Sequence, residues 1–243
     1  MFNQMKQWLS IENSRLKRIQ VQRQFYTFRE ILTPTETAVS QLPALIIGLH
    51  GHGSREAQLD TLVALKLEYP TYYIAPRGFY KTANKGFTWF PLTSQSGEMA
   101  YDINIVMDSL SRLRLFISAM CAAYQVNANQ VYLLGYSQGA TMSLAYTLLY
   151  PQTIRASVAM AGDLLPEIRQ FALEHIRHNQ PIFIGHGTMD DFISTDQIQQ
   201  TADYLNMHGF KVNLHFYPIP HVVSVAERRD VSFWLNQLMA MEI

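Results

Sequence analysis

Cysteine and charge are both scarce in this sequence of 243 residues. Cys121 is the only cysteine, which excludes an intrachain disulfide framework and any Cys-rich zinc or iron–sulfur site. Charged residues make up 16% of the chain, and 19 basic residues balance 19 acidic ones. Because a neutral chain without a large basic cluster has little attraction for phosphate backbones, we expect no nucleic-acid partner.

Long apolar runs are absent as well. No stretch approaches the roughly 18 consecutive apolar residues of a membrane-spanning helix. The first ten residues, Met1 to Ser10, lack the apolar core and the cleavage pattern of a signal peptide. We therefore expect a cytoplasmic protein with no membrane insertion. Since no repeat, low-complexity tract or linker divides the chain, a single domain over residues 1–243 is the simplest interpretation.

From about residue 44 onward, short apolar runs alternate with longer segments of helical period. This alternation predicts βαβ units and a mostly parallel sheet. Upstream, Arg18 to Phe28 alternates polar and apolar residues, as in an antiparallel edge with one wet face. The sequence thus predicts an α/β fold with one or two antiparallel strands at its N-terminal edge. The predicted later strands are Ala44 to Leu49, Tyr72 to Ala75, Gln130 to Tyr136, Ala156 to Ala161, Pro181 to Gly185 and Val212 to Tyr217.

Helical periodicity is clearest over Ala100 to Tyr124, where apolar residues recur every three or four positions. Another helix is predicted to begin at Ser194, because Ser194 and Gln197 form an S-x-x-Q capping box. The last predicted helix runs from about Ser224 to Met241. Its residues predicted to face the sheet are Val225, Val231, Trp234, Leu235 and Leu238.

The segment Gly135-Tyr136-Ser137-Gln138-Gly139 follows an apolar strand and precedes good helix formers. In a G-x-S-x-G elbow, the glycines permit a strained turn that leaves the serine Oγ above the sheet. Ser137 is therefore a candidate nucleophile. The alternative is a glycine-rich turn with a capping serine.

A serine hydroxyl needs a positioned base, and the base needs an orienting carboxylate. His221 is the candidate base, because it follows the last predicted strand and immediately precedes the last helix. Asp190 and Asp191 both lie just beyond the strand that begins at Pro181. The spacing of the sequence leaves either aspartate open as the acid.

Hydrolysis through a tetrahedral intermediate also needs amide donors for the developing oxyanion. The backbone N–H of Gln138, directly after the serine, is the first candidate. The second is the N–H of His52, where Gly51 and Gly53 allow the chain to turn. A metal site at His50 and His52 is the alternative, but it lacks a third ligand, so we expect no metal.

Five aromatic residues crowd a predicted loop between Arg77 and Met99: Phe79, Tyr80, Phe87, Trp89 and Phe90. One interpretation is that they form an apolar wall for an acyl chain beside Ser137, with Phe79, Trp89 and Phe90 as substrate-binding residues. The other is loop packing or a self-association surface in a homodimer. Asp163, after the strand that begins at Ala156, is a further candidate for the pocket wall.

These motifs resemble the phospholipase/carboxylesterase family of α/β-hydrolases, which includes bacterial carboxylesterases and acyl-protein thioesterases. The resemblance covers roughly residues 44–238. Its carriers are the L-H-G-x-G turn at Leu49 to Gly53, the Trp89-Phe90 pair, the G-Y-S-Q-G elbow, the H-G-x-x-D segment at His186 to Asp190, and His221 followed by Ser224 and Glu227. It implies an α/β-hydrolase fold with helices on both faces of the sheet. It also implies a triad of Ser137, Asp190 and His221, with the amides of His52 and Gln138 as the oxyanion hole.

The expected activity is hydrolysis of a small-molecule carboxylic ester or thioester, with no cofactor. Pro91 follows the Trp-Phe pair where the thioesterase branch usually has Asp, so the resemblance favours simple carboxylic esters. The short span between the strands at Ala156 and Pro181 leaves no room for a large lid, and an acylated protein or a peptide is therefore an alternative substrate. A binding module without turnover is the alternative from another class. It is motivated by Ser194 and Pro220, where the family commonly has Pro and Gly.

Overall fold

The structure is a computed structural model that describes residues 15–22, 24–32, 43–58, 65–95, 98–126, 128–171 and 179–241. The segment from Met1 to Ser10, on which the expectation of no signal peptide depends, lies outside these residues. None of the helices formed by the described residues combines the length and the apolar character that a membrane span requires.

The strands, in chain order, are β1 (Arg15–Val21), β2 (Gln24–Leu32), β3 (Ala44–Leu49), β4 (Thr71–Pro76), β5 (Tyr80–Lys81), β6 (Phe87–Thr88), β7 (Thr93–Gln95), β8 (Glu98–Ala100), β9 (Val131–Tyr136), β10 (Ala156–Met160), β11 (Pro181–Gly187) and β12 (Lys211–Tyr217). Within the described residues, eight of them form one sheet in the spatial order β1-β2-β4-β3-β9-β10-β11-β12. β2 pairs antiparallel with β1 and β4, and all other neighbours are parallel. The predicted mostly parallel sheet is confirmed, and the predicted later strands are all present.

The N-terminal edge is a hairpin of two strands, as the alternating pattern over Arg18 to Phe28 allowed. The chain turns at Gln22, whose φ of 55° lies in the left-handed region. β1 is largely exposed, whereas Tyr26 and Phe28 of β2 are buried. β1 is therefore the solvent-exposed edge strand, and β2 contributes buried side chains to the core.

The aromatic-rich stretch between Arg77 and Met99 was expected to be a loop, and it instead contains two short hairpins. β5 pairs with β6, and β7 pairs with β8. An isolated bridge from Phe87 to Ser54 attaches the first hairpin to the segment after β3. Of the five aromatic residues in this stretch, Trp89 and Phe90 are buried, whereas Phe79, Tyr80 and Phe87 are partly exposed.

The helices are α1 (Ile103–Tyr124), α2 (Gln138–Leu149), α3 (Pro166–Arg169), α4 (Thr195–Met207) and α5 (Val225–Ala240). The predicted capping box is confirmed at α4, where the Ser194 side chain accepts from the Gln197 N–H and the Gln197 side chain accepts from the Ser194 N–H. α5 begins with an equivalent box formed by Ser224 and Glu227.

Two separate clusters of buried side chains lie on opposite faces of the sheet. Alternate residues of β3 belong to different clusters, as Leu45 and Ile47 face α1 and α2 while Ile46 faces α5. α4 also packs on the first face, through Ile198, Ala202 and Leu205. The prediction of helices on both faces is confirmed.

The set of α5 residues that are buried differs at one position from the set predicted to face the sheet. Val231, Trp234, Leu235 and Leu238 are buried, but Val225 is 75% exposed. At about 100° per residue, Val225 lies about 120° away from Val231 around the helix axis. Glu227 lies about 40° from Val231 by the same arithmetic and is buried in its place.

The carboxyl ends of β3, β9, β10, β11 and β12 meet at one edge of the sheet, since these strands are parallel. Ligands of such sheets bind outside this edge, where the strand order reverses. The segments that follow these strands carry the sequence-predicted site residues. The described part of the β10–β11 connection contains only the four-residue helix α3.

Candidate active site

Ser137 lies at the sharp turn between β9 and α2. Its φ of 54° and ψ of −122° place a non-glycine residue in a strained conformation, at a cost of about 1–3 kcal/mol. The flanking glycines permit this turn. A Cβ on Gly139 would collide with the backbone carbonyl of Leu49, and a Cβ on Gly135 would collide with the carbonyl of Gly139. The predicted strand–turn–helix elbow is therefore present.

The structure brings the hydroxyl of Ser137, the imidazole of His221 and the carboxylate of Asp190 together. His221 Nε2 lies 2.9 Å from Ser137 Oγ, and His221 Nδ1 lies 2.7 Å from Asp190 Oδ2. The three residues are separated by 53 and 31 positions in sequence (190 − 137 and 221 − 190). They follow β9, β11 and β12, respectively, so the parallel sheet itself accounts for their convergence.

The two adjacent aspartates that the sequence left open differ sharply in environment. Asp190 has a buried side chain, and its Oδ1 accepts from the N–H groups of Phe192 and Ile193 at 2.8 and 3.2 Å. Asp191 is exposed. Burial alone would raise the pKa of Asp190, but the hydrogen bonds from His221, Phe192 and Ile193 lower it below its usual value. Asp190 is thus an ionised partner for the imidazole.

The backbone and ring of His221 are held in place by aromatic neighbours. Tyr136, immediately before the serine, donates from its hydroxyl to the His221 carbonyl at 2.8 Å. The ring of Phe192 approaches the imidazole edge to face, with centroids 5.0 Å apart. Behind the acid, buried His186 donates from Nε2 to the Ile193 carbonyl at 2.9 Å. These contacts position the loops that carry the acid and the imidazole.

The two backbone amides predicted as oxyanion donors belong to residues next to Ser137 or packed near it. Gly51 packs against Ser137, since a Cβ added there would lie 3.3 Å from Ser137 Cβ, and His52 is the next residue. Gln138 directly follows the serine in the elbow. Among the described residues, no acceptor is found for the N–H of His52 or of Gln138. Such unpaired amides are the donors that an oxyanion requires.

His50 supports the turn after β3 rather than offering a ligand atom. Its Nε2 accepts from the Gly78 N–H at 2.9 Å, and its Nδ1 donates to the Gly51 carbonyl at 2.8 Å. Burial lowers the pKa of His50 to about 4, so the imidazole is neutral. Both ring nitrogens are used by the protein, which leaves neither for a metal.

Two of the three aromatic residues predicted to line an acyl pocket, Trp89 and Phe90, instead pack within the protein. Trp89 and Phe90 are 0% and 2% exposed, so neither offers surface to a substrate in this conformation. Phe79 contacts Tyr26 and Trp89 edge to face, and the Arg112 guanidinium lies 4.0 Å from its ring centroid. The prediction of a substrate wall is corrected for Trp89 and Phe90, which show the alternative of loop packing because the hairpin docks on the segment after β3. Phe79 is partly exposed, and its place in a pocket wall stays a prediction.

Asp163 has a structural partner in the adjoining helix. Its Oδ1 accepts from the Thr201 hydroxyl of α4 and from the Leu164 N–H. Burial raises its pKa. The carboxylate therefore ties the segment after β10 to α4, and its predicted place in a pocket wall stays a prediction.

Sequence reasoning missed two side chains that contact the site. The Tyr136 hydroxyl was overlooked, although its position inside the G-x-S-x-G segment could have indicated proximity to the histidine loop. Thr88 was also missed. Its hydroxyl lies 3.0 Å from His52 Nδ1 and 2.6 Å from Gln138 Oε1. No local pattern marks Thr88, because both contacts are formed across the fold.

Glu227 provides a pH-dependent contribution to stability near the histidine loop. Its carboxylate packs so closely on β11 that a Cβ on Gly185 would collide with it. Burial raises the pKa of Glu227 to about 7 from 4.5, against opposing effects of the Ser224 N–H and Arg228, while Asp230 raises it further. Between these two values the folded chain holds a proton that the unfolded chain has lost. The free energy of unfolding therefore falls as pH rises through this range.

We expect Glu227→Gln to remove this pH dependence, because glutamine keeps the shape and can complete the capping box. Relative to the variant, the wild type is expected to lose on the order of 3 kcal/mol between pH 4.5 and about 7. Denaturant titrations across this range measure the difference. Glu68→Gln, at an exposed carboxylate, is the matched control. Parallel pH curves for wild type and Glu227→Gln would contradict the prediction.

Comparison with known proteins agrees with this architecture. A family model described as Phospholipase/Carboxylesterase matches residues 34–239. The chain is 29% identical over 218 residues to acyl-protein thioesterase 1 of Candida albicans, covering 82% of this chain and 94% of the relative. It is 30% identical over 169 residues to acyl-protein thioesterase 1 of Debaryomyces hansenii, covering 65% and 71%, respectively.

A solved structure supports the fold independently. The crystal structure of a carboxylesterase from Mesorhizobium loti superposes with a TM-score of 0.72 at 19% identity. The superposition covers 92% of this chain and 98% of the carboxylesterase. With the family model matching most of its length, the chain belongs to the phospholipase/carboxylesterase family of α/β-hydrolases and is a serine ester hydrolase.

Proposed function

We propose that the chain hydrolyses carboxylic esters through an acyl-enzyme on Ser137, with His221 as general base and Asp190 as the orienting acid. The observation that carries the proposal is the continuous hydrogen-bond relay, with 2.9 Å from serine to imidazole and 2.7 Å from imidazole to carboxylate. Both distances lie within hydrogen-bond reach, as transfer of the serine proton to Nε2 and orientation of the imidazole by the carboxylate require.

The hydrogen bonds of His221 define the proton positions in the proposed mechanism. Asp190 is ionised and can only accept, so it holds the imidazole proton on Nδ1. Nε2 then carries a lone pair toward the Ser137 hydroxyl. When Oγ attacks the ester carbonyl, Nε2 takes the hydroxyl proton and Asp190 stabilises the resulting imidazolium.

His221 transfers one proton in each half of the reaction, first the proton of Ser137 and then a proton of water. Collapse of the tetrahedral intermediate breaks the bond to the leaving alcohol, which takes the proton from Nε2, and leaves an ester on Ser137. His221 then removes a proton from water, and the resulting hydroxide attacks the acyl-enzyme. Breakage of the Oγ–carbonyl bond returns the proton to Ser137 and releases the carboxylic acid. The N–H groups of His52 and Gln138 serve as the donors to the oxyanion in both halves.

Thioester hydrolysis on an acylated protein is the second candidate. It is supported by the similarity to two fungal proteins named acyl-protein thioesterase 1. Access to the relay is compatible with a large substrate, because the His221 side chain remains 18% exposed. The same triad would serve either substrate, so kinetics must distinguish them.

Reaction with a fluorophosphonate probe tests the nucleophile. We expect one adduct per chain by intact mass, located by peptide mapping on the peptide that contains Ser137. Rates on a nitrophenyl ester and on an S-acylated peptide of the same acyl length then test the substrate class, and we expect the ester to be preferred. Preference for the peptide would favour the thioesterase. Absence of both the adduct and turnover would favour a binding module.

A further inference from the structure

The two amides proposed as oxyanion donors lie on different segments of the chain, and one short strand contacts the side chains of both. We propose that Thr88 of β6 is a positioning residue that aligns the His52 and Gln138 amides through a single hydroxyl. The inference rests on the proposed function, because it concerns how that site stabilises its oxyanion. Thr88 is 2% exposed, so its hydroxyl does not itself reach the substrate.

On the elbow side, the Gln138 side chain is held by three consecutive residues. Its Oε1 accepts from the Trp89 N–H at 3.0 Å and lies 2.6 Å from Thr88 Oγ1. Its Nε2 donates to the Phe90 carbonyl at 2.8 Å. Since an N–H must meet the amide oxygen and a carbonyl must meet the amide nitrogen, the orientation of this side chain is unambiguous. The residue that carries one oxyanion donor is thus anchored to β6 and the two residues after it.

On the other side, the same short segment contacts the turn after β3. Thr88 Oγ1 lies 3.0 Å from His52 Nδ1, and the Trp89 indole N–H donates to the His50 carbonyl at 2.8 Å. The preceding Phe87 N–H donates to the Ser54 carbonyl at 2.7 Å. β6 therefore links the two segments that carry the donors, and Thr88 contacts both donor residues directly.

The single proton of the Thr88 hydroxyl determines which atom donates in the contact between Thr88 Oγ1 and His52 Nδ1. The Thr88 hydroxyl has one proton, and two of its three polar neighbours, Gln138 Oε1 and the Phe90 carbonyl, can only accept. Donation to either acceptor leaves the lone pairs of Oγ1 for His52. His52 must then carry a proton on Nδ1 and donate it to Thr88. The imidazole of an exposed residue is thereby fixed against a buried hydroxyl, which orients its backbone N–H.

This arrangement matters because oxyanion donors act only from a narrow range of positions, about 2.7–3.1 Å from the developing charge. The interaction strengthens as charge develops on the oxygen, so misalignment lowers kcat more than it raises KM. A residue that contributes only to folding would not produce this separation of the two constants.

The test compares Thr88→Val, which removes the hydroxyl at nearly constant shape, with Thr88→Ser, which retains it. We expect Thr88→Val to lower kcat roughly 30-fold, less than the about 10²–10³-fold loss when a donor is deleted outright. KM is expected to stay within about twofold, and Thr88→Ser to recover most of kcat. Affinity for a trifluoromethyl ketone, which forms a tetrahedral adduct, is expected to fall in proportion to kcat.

Thr147→Val is the matched control for loss of a buried hydroxyl. Thr147 Oγ1 donates to the Ser143 carbonyl at 2.7 Å within α2 and contacts neither donor. We expect its kcat to match wild type. If Thr88→Val fails to fold, His52→Ala decides the question at an exposed position that keeps its amide, and it is also expected to lower kcat with little change in KM.

The proposal is overturned if Thr88→Val and His52→Ala turn over like wild type, if only KM changes, or if Thr147→Val loses as much kcat as Thr88→Val. Failure of the proposed function has a different signature. In that case the wild-type chain itself shows neither ester turnover nor a fluorophosphonate adduct on Ser137.

Discussion

Ser137→Ala is expected to lower kcat for ester hydrolysis by about 10⁶-fold. The substitution removes the only atom that can form the acyl-enzyme, while the residual rate over water comes from the oxyanion donors and from substrate binding. Initial rates on a nitrophenyl ester measure the loss. Alanine and serine both carry a Cβ, so the backbone strain at the positive φ of this position is the same in the variant. We therefore expect the variant to keep the elbow geometry.

Ser143→Ala is the control for the loss of a serine hydroxyl on the adjoining helix. Ser143 lies six positions further along in α2, is fully buried, and has an Oγ without a hydrogen-bond partner among the described residues. Its removal is expected to leave turnover unchanged, since no interaction is lost. Substantial ester turnover by purified Ser137→Ala, free of contaminating esterase, would contradict the assignment of the nucleophile.

Asp190→Asn is expected to lower kcat by about 10⁴-fold. An asparagine amide can donate toward Nδ1 of His221, which would move the imidazole proton to Nε2 and leave no lone pair for the serine proton. The imidazolium would also lose its counter-charge. Steady-state kinetics at neutral pH measure the effect, and circular dichroism verifies that the variant is folded.

Asp191→Asn makes the same change one residue further along. Asp191 is exposed, and a surface substitution of this kind usually changes the free energy of unfolding by no more than about 0.5 kcal/mol. Since the imidazole keeps its hydrogen bond to Asp190 in this variant, kcat is expected to stay close to that of wild type. Comparison of Asp190→Asn with Asp191→Asn therefore tests which of the two aspartates is the acid, which the spacing of the sequence left open. A larger loss in Asp191→Asn than in Asp190→Asn would reverse the assignment of the acid.

The elements of the fold could be read from the sequence because local chemistry determines them. β3 is buried on both faces, and its sequence is a continuous apolar run with the same bounds in prediction and structure. The capping box at Ser194 and Gln197 marks the start of α4 for an equally local reason, since it pairs side chains with backbone groups three residues apart. The elbow at Ser137 belongs to this class as well.

Other features depend on contacts between distant segments. The hairpin formed by β5 and β6 docks on the segment after β3 through the bridge between Phe87 and Ser54. Trp89 is buried there, which agrees with loop packing rather than with a substrate wall, the two interpretations that the sequence left open. Aromatic composition alone does not distinguish a ring that covers a substrate from one that covers the backbone of a neighbouring turn.

Chain order, strand ends and the G-x-S-x-G segment were enough to nominate Ser137, His221 and an acid at Asp190 or Asp191, because parallel strands bring their carboxyl ends to one edge. The resemblance to the family then favoured Asp190. The choice between Asp190 and Asp191 by environment required the folded chain, since burial and two backbone N–H groups distinguish them. The contacts of Thr88 with His52 and Gln138 span 36 and 50 residues. No periodicity or motif encodes contacts at such separations, which exist only after the strands have paired.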